Sequence, residues 1–276
     1  MTLRTAADQG TKLLTEGSIL APRLTAEVLL AHAIRRERIW LFSHPEEELT
    51  ELGWIHFGRY LHQRLRGVPT QYITGKQEFY GREFRVTPAV LIPRPETEHL
   101  VTAALERLDA GSNVVDAGTG SGAIAVSLAL ERPVRVVATD ISDGALTIAR
   151  ENASKLGARV EFLRCDLISA LADASMDMVA SNPPYVGLSE RDGLQREVRE
   201  HEPAIALFAG ADGNAVYRRL IADAGRVLRP RGWLLLELGY RSADAVRGML
   251  NENWSDVSTA GDLAGIPRVL AARRTS

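Results

Sequence analysis

Through the first 66 residues, apolar positions recur at three- and four-residue steps. TAADQGTKLLTEG, LTAEVLLAHAIRRE and ELGWIHFGRYLHQRLRG all carry this period, which predicts amphipathic helices. Pro22 and Pro45 fall between these stretches, and Gly17 and Gly67 fall at their ends. Residues 1–66 therefore read as a small helical bundle. The pattern changes over residues 67–95, where β-branched and aromatic residues are broken by Gly75 and Gly81. That change predicts a hairpin-like linker. After PRPETE the helical period resumes to about Leu108, opening a third region, 96–276.

From Asn113 onward the apolar residues come in short runs separated by helical stretches. NVVDAG, VRVVATD, RVEFLRCD, MDMVASN and GWLLLELG are the strand candidates, with VSTAG and RVLAARR closing the chain. Helices are expected at 122–131, 143–156, 213–228 and 242–251. Such alternation demands crossover connections and hence an α/β fold with a largely parallel sheet. Ligand sites in open sheets of this kind lie in loops at the carboxyl ends of the strands.

Composition narrows the partners. The 276 residues are 45% hydrophobic and 25% charged, with a formal net charge of −2, so no global field points to nucleic acid or to an anionic membrane. The basic cluster IRRER reads as a solvated helix face. Cys165 is the only cysteine, which rules out an intrachain disulfide and leaves it as a small buried residue. The six histidines fall in no metal-binding spacing, so no metal is expected. MTLRTAADQG lacks the layout of a signal peptide, and no run approaches a membrane span. The default address is the cytoplasm.

Three strand ends carry candidate chemistry. The first is followed by DAGTGSGAIAV, in which Gly118, Gly120 and Gly122 allow close approach of backbone to a ligand, with Thr119 and Ser121 between them. Asp140 closes the second strand at a spacing that suits both hydroxyls of a ribose. Asp166, followed by Leu167, ends the third and can meet an adenine amino group. Glycine loop and carboxylate together fit a nicotinamide cofactor as well as S-adenosylmethionine.

The fourth strand separates them. MDMVA runs into SNPPY, and neither Pro183 nor Pro184 can donate a ladder hydrogen bond, so the strand must stop. The turn presents the side-chain oxygen of Asn182 and the backbone oxygen of Pro183 as acceptors, with Tyr185 as a flat face beside them. That arrangement receives a planar group bearing an NH2, and no hydride-transfer set accompanies it.

GTGSG, Asp140 and NPPY together resemble the class I amino-group methyltransferases. More narrowly, the chain is similar to the release factor glutamine N5-methyltransferases, the PrmC/HemK family. GVPTQYITGKQEF, LIPRPETE, EPAIALFAGADG, YRRLI, LLLELG and the closing D-L-A-G-I-P-R carry that narrower resemblance, over roughly residues 67 to 270. Ala117 and Leu238 depart from the more usual aliphatic residues, and Leu167 stands where relatives often have an aromatic. The resemblance implies a Rossmann-like, seven-stranded, mostly parallel sheet with helices on both faces, preceded by a helical substrate-recognition domain. It also implies S-adenosylmethionine as cofactor, S-adenosylhomocysteine as product, and the glutamine of the Gly-Gly-Gln motif of release factors as substrate. Asn182, Pro183 and Tyr185 would then be catalytic, and with Pro184 would bind the substrate. Gly118, Thr119, Gly120, Ser121, Gly122, Asp140, Asp166, Leu167 and Asn182 would hold the cofactor. A monomer is the favoured state. Two readings compete: a nucleic-acid amino-group methyltransferase, against which the near-neutral charge counts, and a non-catalytic module that binds adenosyl ligands.

Overall fold

The computed structural model describes residues 1–262 and 264–275. Leu263, within the D-L-A-G-I-P-R stretch, lies outside the described residues.

The chain divides into two compact units, Met1–Gly75 with Gln195–His201, and Lys76–Leu194 with Glu202–Ser276. In the first unit, helices α1 (Leu3–Glu16), α2 (Pro22–Ala33), α3 (Arg38–Ser43), α4 (Glu51–Leu65) and α5 (Thr70–Thr74) follow one another. Thr2 caps α1 and Thr50 caps α4, each side chain accepting from a backbone N–H three residues on. Pro22 stands in the first turn of α2, where its missing N–H costs nothing. The apolar stripes of α1, α2 and α4 meet in one core around Leu14, Leu29, Leu30 and Phe57. Glu27 is buried and balanced by Arg23 at 2.5 Å and Arg38 at 3.2 Å. Gln195–His201 contains a short helix, Arg196–His201, and Glu197 there pairs with Arg64 at 2.5 Å.

The periodicity of residues 24–37 overran the structure. Helix α2 stops at Ala33, and Arg35 takes a left-handed φ of 55°. Arg35 and Arg36 of IRRER therefore leave the helix face expected of them, the Arg36 guanidinium stacking on the Trp40 ring, while Arg38 opens α3. Thr70–Thr74 is likewise a helix, ended by Gly75 at a φ of 74°, where an extended stretch was expected.

In the second unit, β1 (Lys76–Phe79) and β2 (Arg82–Arg85) form an antiparallel hairpin. A 3₁₀ turn at Pro95–Thr97 leads into α6 (Glu98–Leu105). Then come β3 (Asn113–Ala117), α7 (Ala123–Glu131), β4 (Arg135–Asp140), α8 (Asp143–Leu156), β5 (Val160–Arg164) and β6 (Met176–Ser181). After a 3₁₀ turn at Leu188–Gly193 and the short helix Ala204–Leu207, the unit closes with Ala215–Val227, β7 (Leu228–Glu237), the helix Ala243–Arg247, β8 (Trp254–Gly261) and β9 (Pro267–Arg274). The helix expected at 242–251 is thus reduced to five residues.

The strand order is β5-β4-β3-β6-β7-β9-β8, parallel except for the pairings of β9 with β7 and with β8. This is the Rossmann-like, seven-stranded, mostly parallel sheet that the resemblance implied. Alternate residues of the central strands enter opposite cores: Val114, Met178 and Leu235 pack with α6 and α7, while Val115, Val179 and Leu234 pack with the helix Ala215–Val227. Both faces are covered, which is why these strands read as continuous apolar runs. From β3 the chain steps outward through β4 to β5, then returns to place β6 on the other side of β3. The reversal leaves a crevice at the carboxyl ends of β3 and β6, the usual ligand position in such sheets.

Candidate functional site

Two of the predicted site segments border that crevice. The glycine loop follows β3, and Asn182 follows β6. Gly118, Gly120 and Gly122 have φ angles of 72°, 56° and 82°, a region that side chains disfavour. A Cβ on Gly118 or Gly120 would meet no atom within 4 Å, so the loop leaves open space over its backbone. On Gly122 it would come 3.2 Å from the Ala149 Cβ, so this glycine serves the packing of α7 on α8.

The loop is tied down from both sides. The Gly118 and Thr119 amides donate to the Thr139 carbonyl at 2.9 and 2.8 Å. Asp140 accepts from the Gly120 amide at 3.0 Å and, through its other oxygen, from the Ser142 amide at 2.9 Å. Each carboxylate oxygen keeps a further lone pair. Thr119 and Ser121 are buried: the Thr119 hydroxyl donates to Asp116 at 2.7 Å, and the Ser121 carbonyl accepts from Asn152 at 2.8 Å. These two residues shape the loop from within.

Asp166 and Leu167 lie beyond the end of β5. The Asp166 carboxylate is engaged by Arg219, of the YRRLI stretch, at 2.5 Å, with both side chains half exposed. Leu167 has a left-handed φ of 50°, and its carbonyl accepts from the Thr139 hydroxyl at 2.6 Å and the Cys165 thiol at 3.3 Å. Cys165 is half-buried, short of the full burial expected of it.

Around Asn182, three remote stretches converge. Its side-chain NH2 donates to the Thr97 hydroxyl, of IPRPETE, at 3.1 Å, and its Oδ1 is buried with no partner. Immediately downstream, Val186 forms a parallel bridge with Phe208 of EPAIALFAGADG, and the Ala209 amide donates to the Val186 carbonyl at 2.9 Å. Glu202, from the same stretch, is buried against Arg94 and accepts from the Ile92 amide at 3.2 Å. Tyr185 packs against Gly239, which ends LLLELG: a Cβ there would stand 2.9 Å from the Tyr185 ring. Burial, and then the charge of Glu237, push the Tyr185 hydroxyl well above its ordinary pKa, so it stays protonated.

Four residues escaped the sequence reading: Asp116, Thr97, Glu237 and Gly239. Thr97, Glu237 and Gly239 lie in stretches that marked the resemblance, but residue type alone gave them no partner. Asp116 closes on the glycine loop, and its only signal was a carboxylate two residues before Gly118. It is fully buried; Oδ2 accepts from Thr119 and from the Ala125 amide at 3.0 Å, while Oδ1 has no partner. Loss of hydration pushes its carboxyl up to about 7, against the opposing pull of those two hydrogen bonds.

That shift has a sign that stability measurements can read. Between 3.8 and about 7 the native state keeps a proton on Asp116 that the unfolded chain has released. Stability therefore falls as pH rises through this window. Asp116→Asn keeps the acceptor and cannot ionise. Its Tm relative to the native chain should rise from pH 3.8 to about pH 7 in the absence of ligand and level off above that; a constant difference across the window would show that Asp116 does not titrate there.

The fold and the crevice define the class, a methyltransferase domain of the α/β type. A methyltransferase small domain model matches residues 96–199, and a PrmC N-terminal domain model matches residues 5–75. The chain is 46% identical to the release factor glutamine methyltransferase of Koribacter versatilis and 44% identical to that of Moorella thermoacetica, with 99% of each chain covered in both cases. It belongs to the release factor glutamine methyltransferase family. Among solved structures, a methyltransferase from Pyrococcus furiosus shares the fold, with a TM-score of 0.55 at 17% identity over 71% of this chain and 91% of that one. No helix among the described residues is long and apolar enough to cross a membrane.

Proposed function

We propose that this chain transfers a methyl group from S-adenosylmethionine to the side-chain amide nitrogen, N5, of the glutamine in the Gly-Gly-Gln motif of peptide-chain release factors. The observation that carries the reading is the Asn182 amide, whose Oδ1 is buried without a partner while its NH2 is fixed by Thr97. A buried acceptor left unmatched is costly unless a donor arrives to meet it. A glutamine NH2 is such a donor, and the Pro183 carbonyl is a second acceptor for its other proton.

The residues present also fit the cofactor. Open space over Gly118 and Gly120 admits a ligand to the backbone, Asp140 retains lone pairs for two ribose hydroxyls, and Asp116 keeps an unmatched oxygen for a further donor. Bound there, S-adenosylmethionine would supply an electron-poor methyl on a sulfonium, its S–CH3 bond breaking as the N–C bond forms so that S-adenosylhomocysteine leaves, with the displaced N–H proton lost to solvent after transfer. An amide nitrogen attacks poorly because its lone pair is delocalised into the carbonyl, and positive charge grows on it as the bond forms. Asn182 Oδ1 and the Pro183 carbonyl stabilise that charge, as an oxyanion hole stabilises the opposite one. The Tyr185 ring, held against Gly239, would pack on the substrate amide and fix its plane. Its hydroxyl stays protonated and takes no proton from the substrate. The helical region over residues 1–66 serves in this proposal to recognise the release factor, with residues 67–95 as linker and 96–276 as the catalytic domain.

Mass spectrometry of release-factor peptides, before and after incubation with enzyme and S-adenosylmethionine, tests the reading. The expected product carries one added methyl on the Gly-Gly-Gln glutamine. Methyl transfer to RNA or DNA, with the release factor untouched, would overturn the substrate assignment in favour of a nucleic-acid methyltransferase.

A further inference from the structure

We propose that Gly239 is a positioning residue whose missing side chain sets where the Tyr185 ring stands, an inference that rests on the methyl-transfer reading above. A chain needs glycine where the backbone turns left-handed, or where a side chain would strike a neighbour. Gly118, Gly120 and Gly122 have left-handed φ angles, and Gly239 does not. Its reason is the neighbour. A Cβ on Gly239 would stand 2.9 Å from Cδ2 of Tyr185 and 3.4 Å from Cγ. Carbon atoms pack at about 3.5–4.0 Å, so that Cβ and the ring would have to part by about half an ångström or more.

Which of the two gives way is decided by how each is held. Gly239 is fixed on both sides of its Cα. Its amide donates to the Tyr217 hydroxyl at 3.2 Å, and that hydroxyl, on a fully buried side chain, donates to the Glu237 carbonyl at 2.7 Å. The Gly239 carbonyl accepts from the Ser242 amide at 3.1 Å and from the Ser242 hydroxyl at 2.9 Å, in the turn that opens the helix Ala243–Arg247. One residue earlier, the Leu238 amide donates to the Arg268 carbonyl of β9 at 2.7 Å.

The main chain of Tyr185 is fixed as well. A Cβ on Gly213, whose φ is 72°, would overlap the Tyr185 carbonyl oxygen, so the two stretches of backbone lie in direct contact. Just downstream, the Val186 amide donates to the Leu207 carbonyl and the Ala209 amide to the Val186 carbonyl, both at 2.9 Å. The Leu188 amide donates to the Gly210 carbonyl at 3.0 Å. Just upstream, the rings of Pro183 and Pro184 lock their φ angles. The side-chain torsions of Tyr185 are what remains free to move. A side chain at 239 therefore displaces the ring.

The ring would pack on the substrate amide and fix its plane, so its displacement tilts that amide away from the line of attack. Misplacement by about 1 Å costs about a hundredfold in rate, and half of that displacement about tenfold. The atoms nearest the added Cβ belong to Tyr185 and Ser242, not to the glycine loop or Asp140. Cofactor binding should not register the change.

The test is a double-mutant cycle on the single-turnover rate at saturating S-adenosylmethionine and release factor. Gly239→Ala should lower the rate about tenfold in the native chain. In Tyr185→Ala, where no ring is left to displace, the same substitution should cost less than about twofold. Calorimetric titration should find the affinity of Gly239→Ala for S-adenosylmethionine nearly native. Independently, the Tyr185 ring resonances, assigned by their loss in Tyr185→Ala, should shift in Gly239→Ala. An equal loss in both backgrounds would show that Gly239 does not act through the ring and would overturn the proposal. A native rate or unmoved ring resonances in Gly239→Ala, a matching loss of cofactor affinity, or a native rate in Tyr185→Ala overturns it too. Should Gly239→Ala not fold, the double variant lacks the clash and should fold and match Tyr185→Ala in rate; failure of the double variant to fold overturns the proposal. The methyl-transfer reading fails separately, if the native chain leaves the release factor unmodified.

Discussion

Replacing Asn182 with alanine should lower the single-turnover rate of methyl transfer about a hundredfold or more while leaving affinity for S-adenosylmethionine nearly unchanged. The side chain supplies one acceptor to a nitrogen that is neutral in the ground state and gains charge in the transition state. An interaction of that kind acts mainly on the rate. Asn182→Asp is a sharper probe. It keeps an acceptor but loses the NH2 that Thr97 holds at 3.1 Å, and it adds charge at a site with little water. Added charge favours the developing cation, whereas desolvation and lost orientation oppose it, so transfer should be impaired and not abolished. Rates at saturating cofactor, with folding checked by circular dichroism, decide the matter. Native activity in Asn182→Ala would reduce SNPPY to a turn that ends a strand.

The second large effect falls on cofactor affinity. Asp140→Ala should weaken S-adenosylmethionine binding about a hundredfold or more, because hydrogen bonds to a charged group are worth about 1.5–3 kcal/mol each. Its carboxylate has two duties. It offers lone pairs for ribose hydroxyls, and it holds the Gly120 and Ser142 amides at 3.0 and 2.9 Å. Removing it frees the middle of the glycine loop as well as the acceptor. Asp140→Asn keeps the shape and one acceptor, and should fall between the two. Calorimetric titration measures both variants, and unchanged affinity in Asp140→Ala would remove this residue from the cofactor site.

Glu237 and Asp116 share a feature that sets this site apart from a purely structural core. Both are carboxyls buried behind the strand ends, both have an unmatched oxygen, and both are raised to about 7 by loss of hydration. Ionisable groups with perturbed values cluster where function demands them. Here each lies directly behind a segment that borders the crevice, Asp116 behind the glycine loop and Glu237 behind the Asn182 turn.

Local signals made much of this molecule legible in advance. A strand buried on both faces must be a continuous apolar run, so NVVDA, RVVATD and MDMVAS were recognisable wherever they paired. Glycines at positive φ and a double proline after an apolar run are constraints on a few consecutive residues, and the loop at Gly118–Gly122 and the turn at Asn182 stood out for that reason. Short pieces were less legible. Arg38–Ser43 and Thr70–Thr74 are too brief for a helical period to rise above chance, and α2 ends at Ala33 although its period continues, because a left-handed residue at Arg35 stops it. What only the tertiary structure decided is which distant residues meet. Periodicity carries no information about strand order, and it is the placement of β6 beside β3 that brings Asn182 and the glycine loop to one crevice. Nor does a threonine announce whether its hydroxyl caps its own helix or crosses 85 residues of sequence to orient an asparagine. Buried polar groups must find partners, but the sequence does not say where those partners are; the crossovers of the sheet do.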